Sequence, residues 1–185
     1  FPFLTRARNY GRPGPARYYD EDVLERIQKL NKMTDLVIAS IHWGVELVHF
    51  PSPRQRSLAK RLIDNGVDLI IGHHPHVVQG IERYRNGLIF YSLGNLIFDP
   101  AIGGVENGLM VKFILSEKGV SEYKLIPLEM NENYQPVKLT HEETFFRYVE
   151  RICKPLADLP CSCYKNFWFE NVARTCLNSY KSDVL

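Results

Sequence analysis

Three of the six histidines of this chain, His73, His74 and His76, lie around Pro75 in the stretch VDLIIGHHPHVVQGIE. A fourth, His42, ends a second apolar run, DLVIASIH. Imidazole is the commonest side-chain ligand of transition metals, and hydrolysis by a metal-bound water needs such ligands held rigidly beside an open position. The residue types and their spacing therefore indicate a metal site assembled from two separate segments.

The elements that must position these histidines form a simple repeat. Both apolar runs have the length of buried strands, and a helical segment, RQRSLAKRLIDNG, lies between them with Gly66 as its C-terminal cap. Strand, helix and strand with short connections make a βαβ unit, so the strands should be parallel neighbours covered on both faces. Because parallel neighbours end at the same sheet edge, His42 should meet the histidine cluster there.

Pro75 refines the expected ligand set. Proline disfavours the helical region for the preceding residue, so His74 is expected to be extended, and residues two apart in an extended segment point the same way. We therefore expect His42, His74 and His76 to bind metal. His73 remains a further metal candidate, although this geometry turns it away. The alternative for any one of them is a hydrogen-bonded polar residue at a strand end. The remaining histidines, His49 and His141, are interpreted as structural or surface residues.

The rest of the chain has mixed α/β character. DEDVLERIQKLNK has the pattern of an amphipathic helix, and hairpins are predicted at Asn86-Gly87 and at Lys118-Gly119. THEETFFRYVERICKPL is predicted to begin with a capping box at Thr140 and to be helical until Pro155. The predicted organisation is a loop or severed connection over residues 1–19, a main domain over 20–130 and a C-terminal helical extension over 131–185.

Composition excludes few functions. The chain has 185 residues, of which 45% are hydrophobic and 24% charged, and a formal net charge of +2. Its basic residues are scattered apart from two groups, so a nucleic-acid partner is not expected. No apolar run approaches the ~20 residues that span a bilayer. Because the chain begins at Phe1, we interpret it as a piece of a longer protein, which leaves membrane association through a preceding segment open. The two basic groups are Arg6, Arg8, Arg12 and Arg17, and Arg54, Arg56, Lys60 and Arg61.

All the cysteines lie near the C-terminus, at positions 153, 161, 163 and 176. Cys161-Ser-Cys163 lacks the two-residue spacing of a zinc-ribbon pair. Reduced thiols and a disulfide both stay open, and with them the compartment.

Three segments, SIHWGVE, LIDNGVDLIIGHHPHVVQGIE and IFYSLGNLIFD, resemble the C-terminal half of the CapA-type capsule (poly-γ-glutamate) synthesis proteins, a branch of the calcineurin-like metallophosphoesterases. The resemblance implies a partial metallophosphoesterase-like α-β-β-α sandwich, with a parallel βαβ unit followed by antiparallel hairpins. It implies divalent Mn, Zn or Fe ions at one sheet edge. His42 then matches a ligand motif with a lone histidine, and His74-Pro75-His76 matches the Gly-His-x-His motif. The resemblance also implies a cell-envelope or extracellular location.

Two further residues acquire roles from this resemblance. Asn95, in YSLGN, is a candidate pocket residue, although an asparagine after a glycine also forms turns. Glu46 is a candidate for orienting a ligand or meeting the substrate, and the alternative is an exposed loop acid.

The family's upstream ligand motifs do not occur in this sequence: an Asp on the first strand, a bridging Asp and an Asn-His pair. A binuclear centre therefore requires the missing N-terminal half of the domain as a partner. The expected function of the complete protein is metal-dependent hydrolysis of a phosphoester. There are two alternatives. The chain is part of a non-catalytic component that binds, exports or anchors an anionic polymer, or it is an inactive fragment. A basic group on the predicted helix would suit an anionic polymer: Arg54, Arg56, Lys60 and Arg61.

Overall fold

The computed structural model describes residues 21–98, 107–116 and 119–173; the predicted loop over 1–19 lies outside them. In chain order the elements are α1 (Glu21–Asn31), β1 (Ile38–His42), α2 (Pro53–Asp64), β2 (Leu69–His73), β3 (Ile81–Tyr84), β4 (Gly87–Phe90), β5 (Asn107–Ser116), β6 (Gly119–Met130), β7 (Pro136–Lys138), α3 (Glu142–Asp158), α4 (Cys161–Trp168) and a π-helix (Phe169–Ala173).

The predicted βαβ unit is confirmed. Strand β1 pairs in parallel with β2 in a register that sets Ile38 beside Leu69 and His42 beside His73. Helix α2 makes the connection and ends at Asp64 with Asn65 as its C-cap. The predicted capping glycine, Gly66, follows directly, and its φ of 107° suits a residue without a Cβ. Strand β4 then pairs in parallel with β2, so the strand order is β1-β2-β4-β3. The carboxyl ends of β1 and β2 consequently lie side by side.

The two predicted hairpins are also confirmed. Strands β3 and β4 are antiparallel, and the turn residues are Arg85 and Asn86, one position earlier than the Asn-Gly signal placed them. Strands β5 and β6 pair along their length, and β7 adds a third strand to this second sheet. The turn between β5 and β6 lies outside the described residues.

The layers explain the patterning of the chain. One face of the first sheet packs against α1, α2 and α4, through residues such as Ile27, Leu62 and Tyr164. The other face packs on the second sheet, where Leu88 and Phe90 join a cluster with Val120 of β6. The fold class expected from the sequence is therefore confirmed: it is α/β, with a parallel unit followed by antiparallel hairpins.

One strand differs from expectation. Strand β1 was predicted to be covered on both faces, but Ile38 is 51% exposed and Ser40 is also exposed. Strand β1 lies at the end of the strand order, so it has one paired neighbour among the described residues. An edge position and a partly open face explain the exposure, and an apolar run alone does not distinguish an edge strand from a central one.

The predicted boundaries of α3 are wrong at both ends. The N-cap residue is His141, and its side chain makes no capping hydrogen bond, so the capping box at Thr140 does not form. The helix continues through Pro155 to Asp158. Proline removes a backbone donor and its ring crowds the carbonyl of the preceding turn, at a cost of about 3 kcal/mol, and burial of Ile152 and Leu156 on either side outweighs that cost.

The C-terminal region adds helices where the sequence showed no clear period. Helix α4 and the π-helix follow Pro160, and Tyr164 of α4 is fully buried. The cysteines in the described part of the chain, at positions 153, 161 and 163, are free thiols, and Cys176 lies outside that part. None of the helices described here combines the length and the apolar character that crossing a membrane requires.

Gly72 in β2 provides a test of this packing. A Cβ added there would lie 2.0 Å from the Tyr91 carbonyl oxygen and 2.5 Å from Trp43 Nε1, two atoms that are hydrogen-bonded to each other at 2.9 Å. We expect Gly72→Ala to lower the free energy of unfolding by about 2 kcal/mol in urea denaturation. Ser40→Ala is the control, because it introduces alanine at an exposed position of the neighbouring strand β1 and should change the free energy of unfolding by no more than about 0.5 kcal/mol. Equal losses in the two variants would contradict the packing explanation.

Candidate metal centre

Two loops leave the shared edge of β1 and β2 and are held together by their backbones. The first loop follows His42 and the second follows His73. The Trp43 amide donates to the His73 carbonyl at 3.0 Å, and the Leu47 amide donates to the Pro75 carbonyl at 2.8 Å. The side chains carried by these loops are therefore fixed relative to one another by main-chain hydrogen bonds.

Three side chains from these loops could hold one metal ion. Glu46, His74 and His76 each offer one ligand atom, and these atoms all lie within 4.8 Å of one another. The two histidines are half-buried and Glu46 is exposed, so the group opens to solvent on one side. Two imidazole nitrogens and one carboxylate oxygen are the donor set of many catalytic zinc sites, and mixed N/O sites also suit Mn and Fe. The donors present thus fit the metal that the sequence led us to expect.

The structure brings His42, His74 and His76 to one place. The ring centroids of His42 and His74 are 4.5 Å apart, and those of His74 and His76 are 5.9 Å apart. His42 nevertheless stands beside the group of possible ligands, and Glu46 takes the third position within it. His73 lies opposite His42 in the strand register and outside that group.

The backbone at the histidines differs from the prediction. His74 has a φ of 101° and His76 a φ of 60°, so the extended conformation expected for His74 is wrong. The chain turns around Pro75, and the turn brings the two rings to one gap. Leu47, beside Glu46, also has a positive φ of 60°. Non-glycine residues in this region cost about 1–3 kcal/mol each and concentrate at functional sites, because the surrounding structure must enforce them.

Asn95 holds His76 in a defined orientation. Its Oδ1 lies 2.8 Å from His76 Nδ1, while its Nδ2 donates to the His76 carbonyl oxygen at 3.4 Å. Since the amide nitrogen is used for the carbonyl, Oδ1 accepts a proton from Nδ1, and the lone pair of His76 is therefore on Nε2. Fixing the tautomer of a ligand histidine through its other nitrogen is a common feature of metal sites.

Gly108 of β5 supports Asn95 from the second sheet, and sequence reasoning did not single it out. A Cβ at Gly108 would lie 1.8 Å from the Asn95 carbonyl oxygen, and Gly94 forms an isolated β-bridge with Gly108. Only a glycine admits this close approach. A glycine within a strand pattern was the available signal, because it often marks such a contact.

The electrostatics favour neutral imidazoles. Burial lowers the pKa of His74, and the neighbouring rings of His42 and His76 lower it further, although Glu46 acts in the opposite direction. Burial, followed by His42, also lowers the pKa of His73. The lowered pKa values of His73 and His74 favour the uncharged imidazole at neutral pH, which is the state that binds a metal ion.

Two of the four side chains of the basic group on α2 form ion pairs with a carboxylate of the first sheet. Arg56 and Lys60 both bind the carboxylate of Glu82, with nitrogen–oxygen distances of 2.9 Å in each case. Arg56 is buried, whereas Arg54 and Arg61 are exposed. The surface available to an anionic polymer is therefore smaller than the four basic residues suggested.

The mixed α/β arrangement, with a parallel-strand sheet packed on an antiparallel sheet, is a metallophosphoesterase-like fold. The family described as "Bacterial capsule synthesis protein PGA_cap" matches residues 4–100. That match covers more than half of the sequence, and the chain belongs to this family.

Individual relatives agree with this assignment. The chain is 39% identical over 124 residues to "Capsule biosynthesis protein CapA" of Bacillus anthracis, covering 65% of this chain and 30% of the relative. It is 37% identical over 120 residues to "PGA biosynthesis protein CapA" of Bacillus subtilis (strain 168), covering 65% and 32%. A "Probable polyglutamine synthesis accessory protein" of Mycobacterium tuberculosis is 35% identical over 88 residues, covering 47% and 23%. The chain thus spans about a third of the length of the first two relatives.

Proposed function

We propose that this chain carries part of a metal-dependent phosphoester hydrolase that acts in capsule or poly-γ-glutamate synthesis. The observation that carries the proposal is the group formed by Glu46, His74 and His76, whose ligand atoms lie within 4.8 Å of one another. The names of the relatives from the two Bacillus species supply the biological process.

Each residue has a distinct task in this proposal. Glu46, His74 and His76 hold the ion, and His42, with its ring 4.5 Å from that of His74, can add a fourth nitrogen. Asn95 keeps Nε2 of His76 available. A bound divalent ion supplies Lewis acidity toward a phosphoryl oxygen and toward water. The exposed side of the group leaves room for the phosphoester, which is the proposed substrate.

The experiment has two parts. Equilibrium dialysis of the purified chain against Mn²⁺, Zn²⁺ or Co²⁺ should show close to one bound ion, and less than a tenth of that in a Glu46→Ala/His76→Ala variant. Hydrolysis of bis(p-nitrophenyl) phosphate should be slow, because this class of site uses two ions and the described residues offer one set of three ligands. No metal uptake would overturn the metal site, and turnover that resists chelation would overturn the metal-dependent reaction.

Asn95 supplies a prediction specific to this site. Asn95→Ala removes the acceptor for His76 Nδ1, so we expect Zn²⁺ affinity to fall by about 10–100-fold with little loss of helix or strand content. Competition with a chromophoric chelator measures the affinity. The matched control is Asn171→Ala, an exposed asparagine on the π-helix whose amide donates to Phe167 O. Equal affinities in the two variants would remove Asn95 from the site.

A further inference from the structure

The loop that carries Glu46 rests on a pair of buried amides, Gln55 and Gln79. Gln55 is 4% exposed and Gln79 is 1% exposed. Gln55 Nε2 donates to Gln79 Oε1 at 3.2 Å, and Gln79 Nε2 donates to the Val48 carbonyl oxygen at 2.7 Å. Val48 lies two positions after Glu46, so the second hydrogen bond reaches the loop next to the candidate ligand.

The same pair contacts both ends of the loop. Near its start, Gly44 packs so closely on Gln55 that a Cβ would lie 2.7 Å from Nε2. At its end, the Ser52 amide donates to Gln55 Oε1 at 2.9 Å and Ser52 Oγ accepts from the Gln55 amide at 3.2 Å, which forms the capping box of α2. The loop is therefore supported at its beginning, middle and end by two side chains.

Gln79 also belongs to the segment that contains the histidine ligands. It lies three positions after His76, and its own amide donates to the Ser92 carbonyl at 3.1 Å. The side chain of Gln79 thus connects the histidine segment to the glutamate loop. Within the described residues no hydrogen bond or ion pair holds the Glu46 carboxylate itself, so its position depends on the backbone of its loop.

We propose that Gln79 is a positioning residue of the candidate metal centre, because its hydrogen bond to Val48 holds Glu46 at ligand distance from His74 and His76. The inference rests on the proposed function, in which these three residues bind an ion. A buried glutamine that only satisfied a carbonyl group would affect stability without affecting the coordination of that ion. The two possibilities differ in what they predict for metal affinity.

The first test uses Co²⁺ and the full chain. Gln79→Met keeps the approximate size of the side chain and removes both of its side-chain hydrogen bonds, to Gln55 and to Val48. We expect Co²⁺ to bind about 10-fold more weakly than to wild type, with a change in the visible d–d spectrum toward that of Glu46→Gln. Ile152→Val is the control, because it perturbs a side chain that is 1% exposed in α3 and should leave both affinity and spectrum unchanged.

A double-mutant cycle then separates positioning from general destabilisation. If Gln79 acts through Glu46, the double variant Gln79→Met/Glu46→Gln should bind Co²⁺ no more weakly than Glu46→Gln alone. The proposal would be overturned if the affinity losses of the two single variants multiplied in the double variant, or if Gln79→Met bound Co²⁺ as wild type does. Either result would leave the metal site in place.

A measurement on the metal-free chain separates the positioning role of Gln79 from the proposed metal-dependent function. The Leu47 amide, bonded to the Pro75 carbonyl at 2.8 Å, reports on how firmly the glutamate loop sits on the histidine loop. Its hydrogen exchange in metal-free Gln79→Met should be about 10-fold faster than in wild type and than in Ile152→Val. Unchanged exchange would overturn the role of Gln79 even if metal binds. Failure of wild type to bind Co²⁺ would instead overturn the proposed function, and the positioning of Glu46 as a ligand with it.

Discussion

Replacing His74 by alanine is expected to lower the affinity of this chain for Zn²⁺ or Co²⁺ by at least about 100-fold, or about 3 kcal/mol. The loss is large because His74 is one of the three donors that the described residues bring within 4.8 Å of one another, and its ring lies beside those of both His42 and His76. Isothermal titration with each ion measures the effect. His141→Ala is the matched control, since it removes an exposed histidine at the start of α3 and should bind as wild type does.

The unusual backbone of His74 makes a second variant informative. At a φ of 101°, glycine avoids the steric cost of a Cβ, about 1–3 kcal/mol, and adds about 1 kcal/mol of unfolded-state entropy. The free energy of unfolding of metal-free His74→Gly should therefore be no more than about 1 kcal/mol below that of wild type, or above it. The variant should still fail to bind metal. A binding loss accompanied by extensive unfolding would show that His74 is needed for the fold, and unchanged binding would remove it from the metal site.

Replacing Glu82 by alanine is expected to destabilise the chain by about 3–5 kcal/mol. Glu82 is 7% exposed, and its carboxylate accepts hydrogen bonds from Arg56 and, at 2.7 Å, from the hydroxyl of Tyr91, while Lys60 lies 2.9 Å away. Removing it leaves the positive charges of Arg56 and Lys60 without their common partner. Since small domains are stable by only about 5–15 kcal/mol, much of the chain should be unfolded at modest urea concentrations.

The control for this prediction is Glu143→Ala, which breaks an exposed ion pair to Arg147 and should cost about 0.5 kcal/mol or less. Urea denaturation followed by circular dichroism compares the two variants. Similar midpoints would mean that the buried carboxylate does not stabilise the contact between α2 and the first sheet.

The same network predicts a pH dependence. Burial raises the pKa of Glu82, but hydrogen bonds from Arg56, Tyr91 and Lys60 outweigh it and hold that pKa below its ordinary value of 4.5. A depressed folded-state pKa contributes stability above the unfolded value, and this contribution is lost as the pH falls through the folded value. Wild type should therefore lose stability more steeply below pH 4.5 than Glu82→Gln, in which this position does not titrate.

Some of the site follows from local sequence alone. Apolar runs that end in His42 and in the histidine cluster, with one helix between them, require parallel neighbours, because a right-handed crossover leaves few other arrangements. Parallel neighbours end at one edge, so the meeting of His42, His74 and His76 could be predicted without coordinates. The hairpin at Asn86 follows in the same way from turn chemistry.

Other features depended on contacts between residues distant in sequence. Glu46 was predicted to orient a ligand or meet the substrate rather than to bind the ion, because nothing in its own loop indicates that the loop folds back to place a carboxylate beside His74. Arg56 was counted with a basic group suited to an anionic polymer, although it pairs with Glu82, and no periodicity connects those two positions. Pro155 was expected to end a helix that continues past it, because local rules omit the burial of Ile152 and Leu156.

The sequence by itself determined that histidines from two parallel strands share one sheet edge, since strand direction and connection length are local properties. Only the tertiary structure decided which side chains reach ligand distance there. That choice depends on positive φ angles at His74 and His76 and on the hydrogen bond from Gln79 to Val48, which form only when the two loops pack together.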